Sequence, residues 1–123
     1  MQKSKKIKLD KKYGIVFWTE GFSGSGKSSI LNLVHKKIEK KFGTTLNISG
    51  DELRNLYNLH GYKKSDRIKN SYKFSEFLSF LSKKKINVLY SVVGLNHAAR
   101  RIYKSKIKNF LVTLIDAEII KII

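Results

Sequence analysis

Apolar residues fall along the chain in two alternating rhythms. Residues Gly14 to Thr19 (GIVFWT) form an unbroken β-branched and aromatic run that ends at a glycine-rich segment. A run of that kind reads as a strand buried on both faces, as in a parallel sheet. Beyond the glycines, Ile30, Leu31, Val34, Ile38 and Phe42 recur at spacings of three and four, which predicts a helix from Ser28 to Phe42 with Gly43 as its stop. Thr44 to Ile48 reads as a second strand, followed by a turn and a helix that starts near Asp51 and runs through Leu53 and Leu56. From Ser65 to Lys84, Ile68, Tyr72, Phe74, Phe77, Leu78 and Leu81 mark the longest helix, with Lys83 to Lys85 as its solvated end. Ile86 to Val93 is a third strand, His97 to Lys106 a basic helix, Phe110 to Ile115 a fourth strand, and a last helix begins near Ala117. Strands alternating with helices predict a three-layer α/β/α domain around a mainly parallel sheet of about four strands, with right-handed crossovers.

The pattern gains chemistry between the first strand and the first helix. Gly21-Phe22-Ser23-Gly24-Ser25-Gly26-Lys27-Ser28 satisfies GxxxxGK[ST] in full. Its glycines let successive backbone amides turn inward around phosphate oxygens, and the helix that follows adds its positive N-terminal end. Lys27 is placed to reach the β- and γ-phosphates of ATP, Ser28 to offer a hydroxyl to Mg²⁺, and Ser29 to extend the cradle. The strand before and the helix after supply the context that this motif requires. A plain glycine-rich surface turn is the alternative.

Composition bounds the rest. The 123 residues suffice for one domain, with residues 1–12 a solvated basic lead-in and residues 13–123 the folded unit. The net charge of +17 attracts any polyanion, yet only Arg54, Arg67, Arg100 and Arg101 among the 26 basic residues are arginine. That lysine excess reads as codon bias and a solvated surface. A chain built to contact nucleic acid would favour the bidentate guanidinium and interleave it with aromatics, so a nucleic-acid partner is not expected. No cysteine is present, which excludes disulfides and thiolate metal sites and suits a cytoplasmic location; His35, His60 and His97 are scattered. No apolar stretch is long enough for a membrane span.

After the loop come SGDELR, GYKKSDRIKN, SVVGLNHAARR and IKNFLVTLIDAE, in that order. The series resembles the adenylyl-sulfate kinases, in which a strand ends in DGDxxR, a GFSxxDRxxN segment follows, and later strands lead to ISPYR-like and VDAP-like turns. The resemblance runs from about Ile15 to the last residue. It implies ATP-dependent phosphorylation of adenylyl sulfate at its 3′-hydroxyl. Asp51 then matches a carboxylate beside the transferred group, placed to orient Mg²⁺ or accept the hydroxyl proton; its alternative is a helix N-cap. Arg54, Arg67 and Asn70 match positions that bind the nucleotide substrate. For Phe74 and Phe77, core packing outweighs a place beside the adenine.

Two departures bear on the acceptor. Ser49 replaces the first aspartate of DGD, and Gly94-Leu95-Asn96-His97 stands where the family has Ser-Pro-Tyr-Arg. Related kinases act on other nucleotide-linked acceptors such as cytidine diphosphoramidate, and the chain could belong with them. The family's lid and last strand have no counterpart here, so the sequence reads as a domain incomplete at its C-terminus. The resemblance also implies a homodimer. An inactive fragment and a basic nucleic-acid-binding module are the readings of another class.

Overall fold

In the computed structural model, residues 9–19, 27–59, 61, 63–92 and 97–113 are described. Their strands are β1 (Ile15–Thr19), β2 (Thr45–Ser49), β3 (Asn87–Ser91) and β4 (Asn109–Thr113), and their helices α1 (Lys27–Phe42), α2 (Gly50–Leu56), α3 (Lys64–Lys83) and α4 (His97–Lys106). All strand pairs are parallel, in the order β2-β3-β1-β4. The expected α/β/α sheet is therefore present, and each shared element lies within one or two residues of its expected span. The predicted final helix lies outside the described residues.

Alternation along β1 sorts its side chains between two cores. Ile15 and Phe17 meet Val34 and Ile38 of α1 and Leu89 of β3 on one face. Val16 and Trp18 meet Leu78 and Leu81 of α3 and Tyr103 of α4 on the other. Val34 and Ile38 are both fully buried, each contributing about 1.5–3 kcal/mol by leaving water. Leu9 joins the α1-side core, and the Asp10 N–H donates to Asn109 Oδ1 at 2.9 Å.

Buried side-chain amides fix the start of the sheet. Asn87 Oδ1 accepts from the Ile15 N–H at 2.8 Å while its Nδ2 donates to the Phe42 and Thr44 carbonyls, both at 3.2 Å. At the same end α3 approaches β1 closely: the Gly14 N–H donates to the Ser82 carbonyl at 2.8 Å, and Ser82 Oγ returns a bond to the Gly14 carbonyl at 2.7 Å. A Cβ on Gly14 would stand 2.1 Å from the Ile86 carbonyl oxygen, so only glycine fits.

The apolar stripe on α3 differs from the expected one. Tyr72 is 51% exposed, and the buried face includes Ser71, Ser75 and Ser82. Small hydroxyl residues bring the helix close to the sheet while their protons bond carbonyls of Arg67, Tyr72 and Gly14, so the buried face is less apolar than its periodicity suggested. Ile30, expected on the apolar stripe of α1, is likewise 37% exposed. Gly43, with φ 100, ends α1 as expected.

Candidate active site

The carboxyl ends of β1, β2 and β3 meet α1, α2 and α3 at one edge of the sheet. In open parallel sheets ligands bind at this edge, where the strand order reverses, and here β1 lies between β3 and β4. β1 ends at Thr19 and α1 begins at Lys27. Gly21, Phe22, Ser23, Gly24, Ser25 and Gly26 lie outside the described residues; Lys27, Ser28 and Ser29 occupy the first turn of α1. That turn contains no acidic residue, which leaves the positive end of the helix dipole available to an anion.

At the end of β2 the helix cap is Ser49. Its Oγ accepts from the Glu52 N–H at 3.1 Å, and Glu52 Oε1 accepts from the Ser49 N–H at 3.0 Å, forming a reciprocal capping box. The N-cap alternative for Asp51 is thus corrected: two residues earlier, the serine that replaces the family's aspartate already satisfies the first-turn amides. The Asp51 carboxylate instead projects from the first turn of α2, 64% exposed, and accepts a hydrogen bond from Arg54 Nη2.

Asp51 and Arg54 share a cavity of about 200 Å³ with Arg67 from α3. The cavity walls are aromatic: Trp18, Phe74, Tyr90 and Tyr103. Trp18 lies edge-on to Tyr103, with ring centroids 4.9 Å apart, and 5.7 Å from Tyr90. Arg67 Nε is buried with no hydrogen-bond partner among the described residues. A buried guanidinium donor left unsatisfied is costly, and an oxyanion in the cavity would satisfy it.

Three of the four expected substrate-binding residues are thus brought together. Asn70 is buried on α3 but does not line this cavity. Phe74 serves as core and cavity wall at once, whereas Phe77 packs only against the core.

Tyr90 and Tyr103 escaped sequence reasoning. Their hydroxyls lie 2.9 Å apart in the cavity wall. Burial pushes the Tyr103 hydroxyl up to about 12 and Tyr90 well above its ordinary value, so both stay protonated at neutral pH. The available signal was slight: Ala99 and Tyr103 lie four residues apart on one side of an otherwise basic helix.

Among the described residues no group of three or more His, Cys, Asp or Glu gathers that could hold a metal ion. The exposed Asp51 carboxylate is a hard oxygen donor of the kind that Mg²⁺ takes. Nor, among the described residues, is any helix long and apolar enough to cross a membrane.

Comparison with known proteins yields a consistent picture. The family model for adenylylsulphate kinase matches residues 13–120. The cytidine diphosphoramidate kinase of Campylobacter jejuni is 24% identical over 108 residues, covering 88% of this chain and 64% of its own length. The adenylyl-sulfate kinase of Clostridium acetobutylicum is 35% identical over 79 residues, 62% of this chain and 38% of its own. The chain thus spans less than two thirds of these relatives. Among solved structures, the Mycobacterium tuberculosis APS kinase CysC in complex with AMPPNP and APS matches with a TM-score of 0.65 at 29% identity, over 85% of this chain and 63% of that one. The crystal structure of APE1195 matches at 0.68 and 22% identity, over 89% and 69%, a likeness of fold alone.

Proposed function

The chain belongs to the adenylylsulphate kinase family, a family of nucleotide kinases, and from that premise we propose that it transfers the γ-phosphoryl group of ATP to a hydroxyl of a second nucleotide. Two acceptors are in view. The GDxxR and DRxxN motifs support the 3′-hydroxyl of adenylyl sulfate, giving 3′-phosphoadenylyl sulfate. The relative from Campylobacter jejuni, which aligns over 88% of the chain, supports cytidine diphosphoramidate. The observation that carries the proposal is one of placement. The glycine segment joins the carboxyl end of β1 to α1, and the cavity holding Asp51, Arg54 and Arg67 opens at that same edge of the sheet.

Each residue then has a defined task. Backbone amides of Gly21 to Ser29 hold the phosphates of ATP, and Lys27 neutralises charge on the β- and γ-phosphates. Arg54 and Arg67 hold the acceptor's anionic end. The family resemblance assigns Asn70 to the rest of the nucleotide. Asp51 orients the acceptor hydroxyl and takes its proton. The hydroxyl oxygen bonds to the γ-phosphorus as the bond to the β–γ bridging oxygen breaks, and ADP leaves with that electron pair. Ser28 and Asp51 would hold Mg²⁺, which when bound supplies further charge neutralisation at the transferring phosphoryl group.

A coupled ADP-release assay of the chain with adenylyl sulfate and cytidine diphosphoramidate as separate acceptors tests the proposal. Acceptor-dependent ADP release with either supports it, and no release above the acceptor-free rate with both refutes it. A homodimer and a cytoplasmic location belong to the same reading. The nucleic-acid alternative instead requires tight, salt-steep binding that survives Lys27→Ala.

A further inference from the structure

Folding sorts the aromatic residues of α3 between its two sides. Phe74 enters the core, whereas Tyr72 and Phe80 stand on the other side, 51% and 55% exposed. Lys69, Lys73, Lys83 and Lys84 are exposed with them, since steps of three and four residues stay on one side of a helix. Eight residues separate the two rings, about 12 Å along the axis. A lysine stands over each: Lys84 Nζ is 5.6 Å from the Phe80 ring centre, and Lys106 Nζ of α4 is 5.3 Å from that of Tyr72. Beside this face, Lys83, Lys104, Lys106 and Lys108 line a groove between the ends of α3 and α4. A neighbouring hollow shares Ser79, Lys83 and Lys106 with the groove and adds Glu76 and Phe80. Glu76 is the only carboxylate lining either, and Lys106 Nζ lies 3.1 Å from it. Asp10, at the same end of the sheet, accepts from the Lys12 N–H and lines neither. Lys83, Lys104 and Lys108 make no ion pair with any described residue. The groove reaches Tyr13 and Lys108, just before β1 and β4, so it lies at the edge of the sheet opposite the Asp51 cavity.

Lysines near helix C-termini follow from the helix dipole alone. Half-exposed rings set among them add a second property, flat π-faces beside ammonium groups. A free phosphate would use the lysines and leave the rings in water, and a duplex keeps the faces of its bases in its own stack. An unpaired strand offers both parts at once: phosphates for the groove and open base faces for the rings. We propose that the face shared by α3 and α4 binds single-stranded nucleic acid, with phosphates along the lysine groove and bases stacked on Tyr72 and Phe80. Because the cations are lysines, they meet phosphate oxygens rather than base edges, and the binding is tolerant of sequence. Linear order hides this arrangement, since Lys104, Lys106 and Lys108 join the rings of α3 only across the helix pair. The site is separate from the phosphate loop and does not rest on the kinase reading.

The test is fluorescence anisotropy of the full chain with a labelled oligothymidine of about 12 nucleotides and with a duplex of the same length, at about 0.15 M salt. The single strand should bind saturably and more tightly than the duplex. Tyr72→Ala combined with Phe80→Ala should weaken the single strand at least about tenfold and leave the duplex unchanged. Lys83→Gln, Lys104→Gln and Lys108→Gln together should flatten the salt dependence of single-strand binding by about 2 in the log–log slope, the share of three phosphate contacts. Lys36→Gln, Lys37→Gln and Lys40→Gln on α1 remove the same charge elsewhere and should change that slope far less. All these side chains are exposed, and an unchanged urea midpoint verifies that each variant is folded. No saturable binding of the strand, equal affinity for strand and duplex, an unaffected aromatic variant, or an equal effect of the two lysine triples overturns the proposal. Phosphatidylserine vesicles, tested in parallel, address the other anionic partner: vesicle binding that needs the two rings, with no binding of the oligonucleotide, would make the face a membrane contact and likewise overturn it.

Discussion

Arg67 shows at single-residue scale how the site is prepared for an anion. Its Nε is buried without a partner among the described residues, while its carbonyl is tied to Ser71, so the charge is held at the cavity and the backbone beneath it is fixed. Lysine would keep the charge and lose the planar fork. Arg67→Lys should raise the KM for the acceptor about tenfold, as a change in one charge-assisted bond would, and leave the KM for ATP unchanged. Initial-rate measurements with each substrate varied in turn check this, and an equal rise in both KM values would contradict it. Sequence made this arginine legible because DRxxN is a motif with its own spacing. It did not make Tyr90 legible: a tyrosine in a buried strand reads as core, and its place in the cavity wall beside Tyr103 depends on where α4 falls in space. The role of Ser49 was also hidden. Its departure from the family's aspartate was plain, but serine caps a helix as well as aspartate does.

The elements were legible wherever one physical signal dominated. β1 reads from its unbroken apolar run, and α1 from its stripe and from the glycine at φ 100 that ends it. On α3 the signal was mixed, because Ser71, Ser75 and Ser82 occupy the buried face, and the exposed Tyr72 lies under Lys106 instead, with Nζ 5.3 Å from the ring centre. Close helix-to-sheet approach was traded for apolar content, a choice that hydrophobic spacing cannot reveal. For α2, seven residues long, the capping box matters more than propensity, because short helices nucleate poorly. Ser49→Ala should cost about 1 kcal/mol of stability, read as a lower midpoint in urea denaturation. Because α2 positions Asp51 and Arg54, the same variant should lose turnover. Unchanged stability would mean that the cap is dispensable.

For the molecule as a whole, the buried tyrosine pair links stability to alkaline pH. Folded Tyr103 keeps its proton up to about 12 against an ordinary value of 10.0, so between these values the folded state binds more protons than the unfolded one. The stabilisation is complete below pH 10 and is lost as pH rises through 12, amounting to about 2–3 kcal/mol. Urea midpoints measured from pH 8 to 12 should fall over that upper range, and the fall should be smaller in Tyr103→Phe; an identical pH profile would remove the pair from the account. The surface charge of +17 favours encounter with polyphosphates in general but selects none of them. In the proposed reading selection depends on the segment from Gly21 to Ser28, and calorimetric titration with AMPPNP in the presence of Mg²⁺ tests it most directly. Saturable one-to-one binding by the wild-type chain, weakened at least about 100-fold by Lys27→Ala, is the predicted result. Binding that Lys27→Ala leaves unchanged, or no binding by the wild-type chain, would contradict the account.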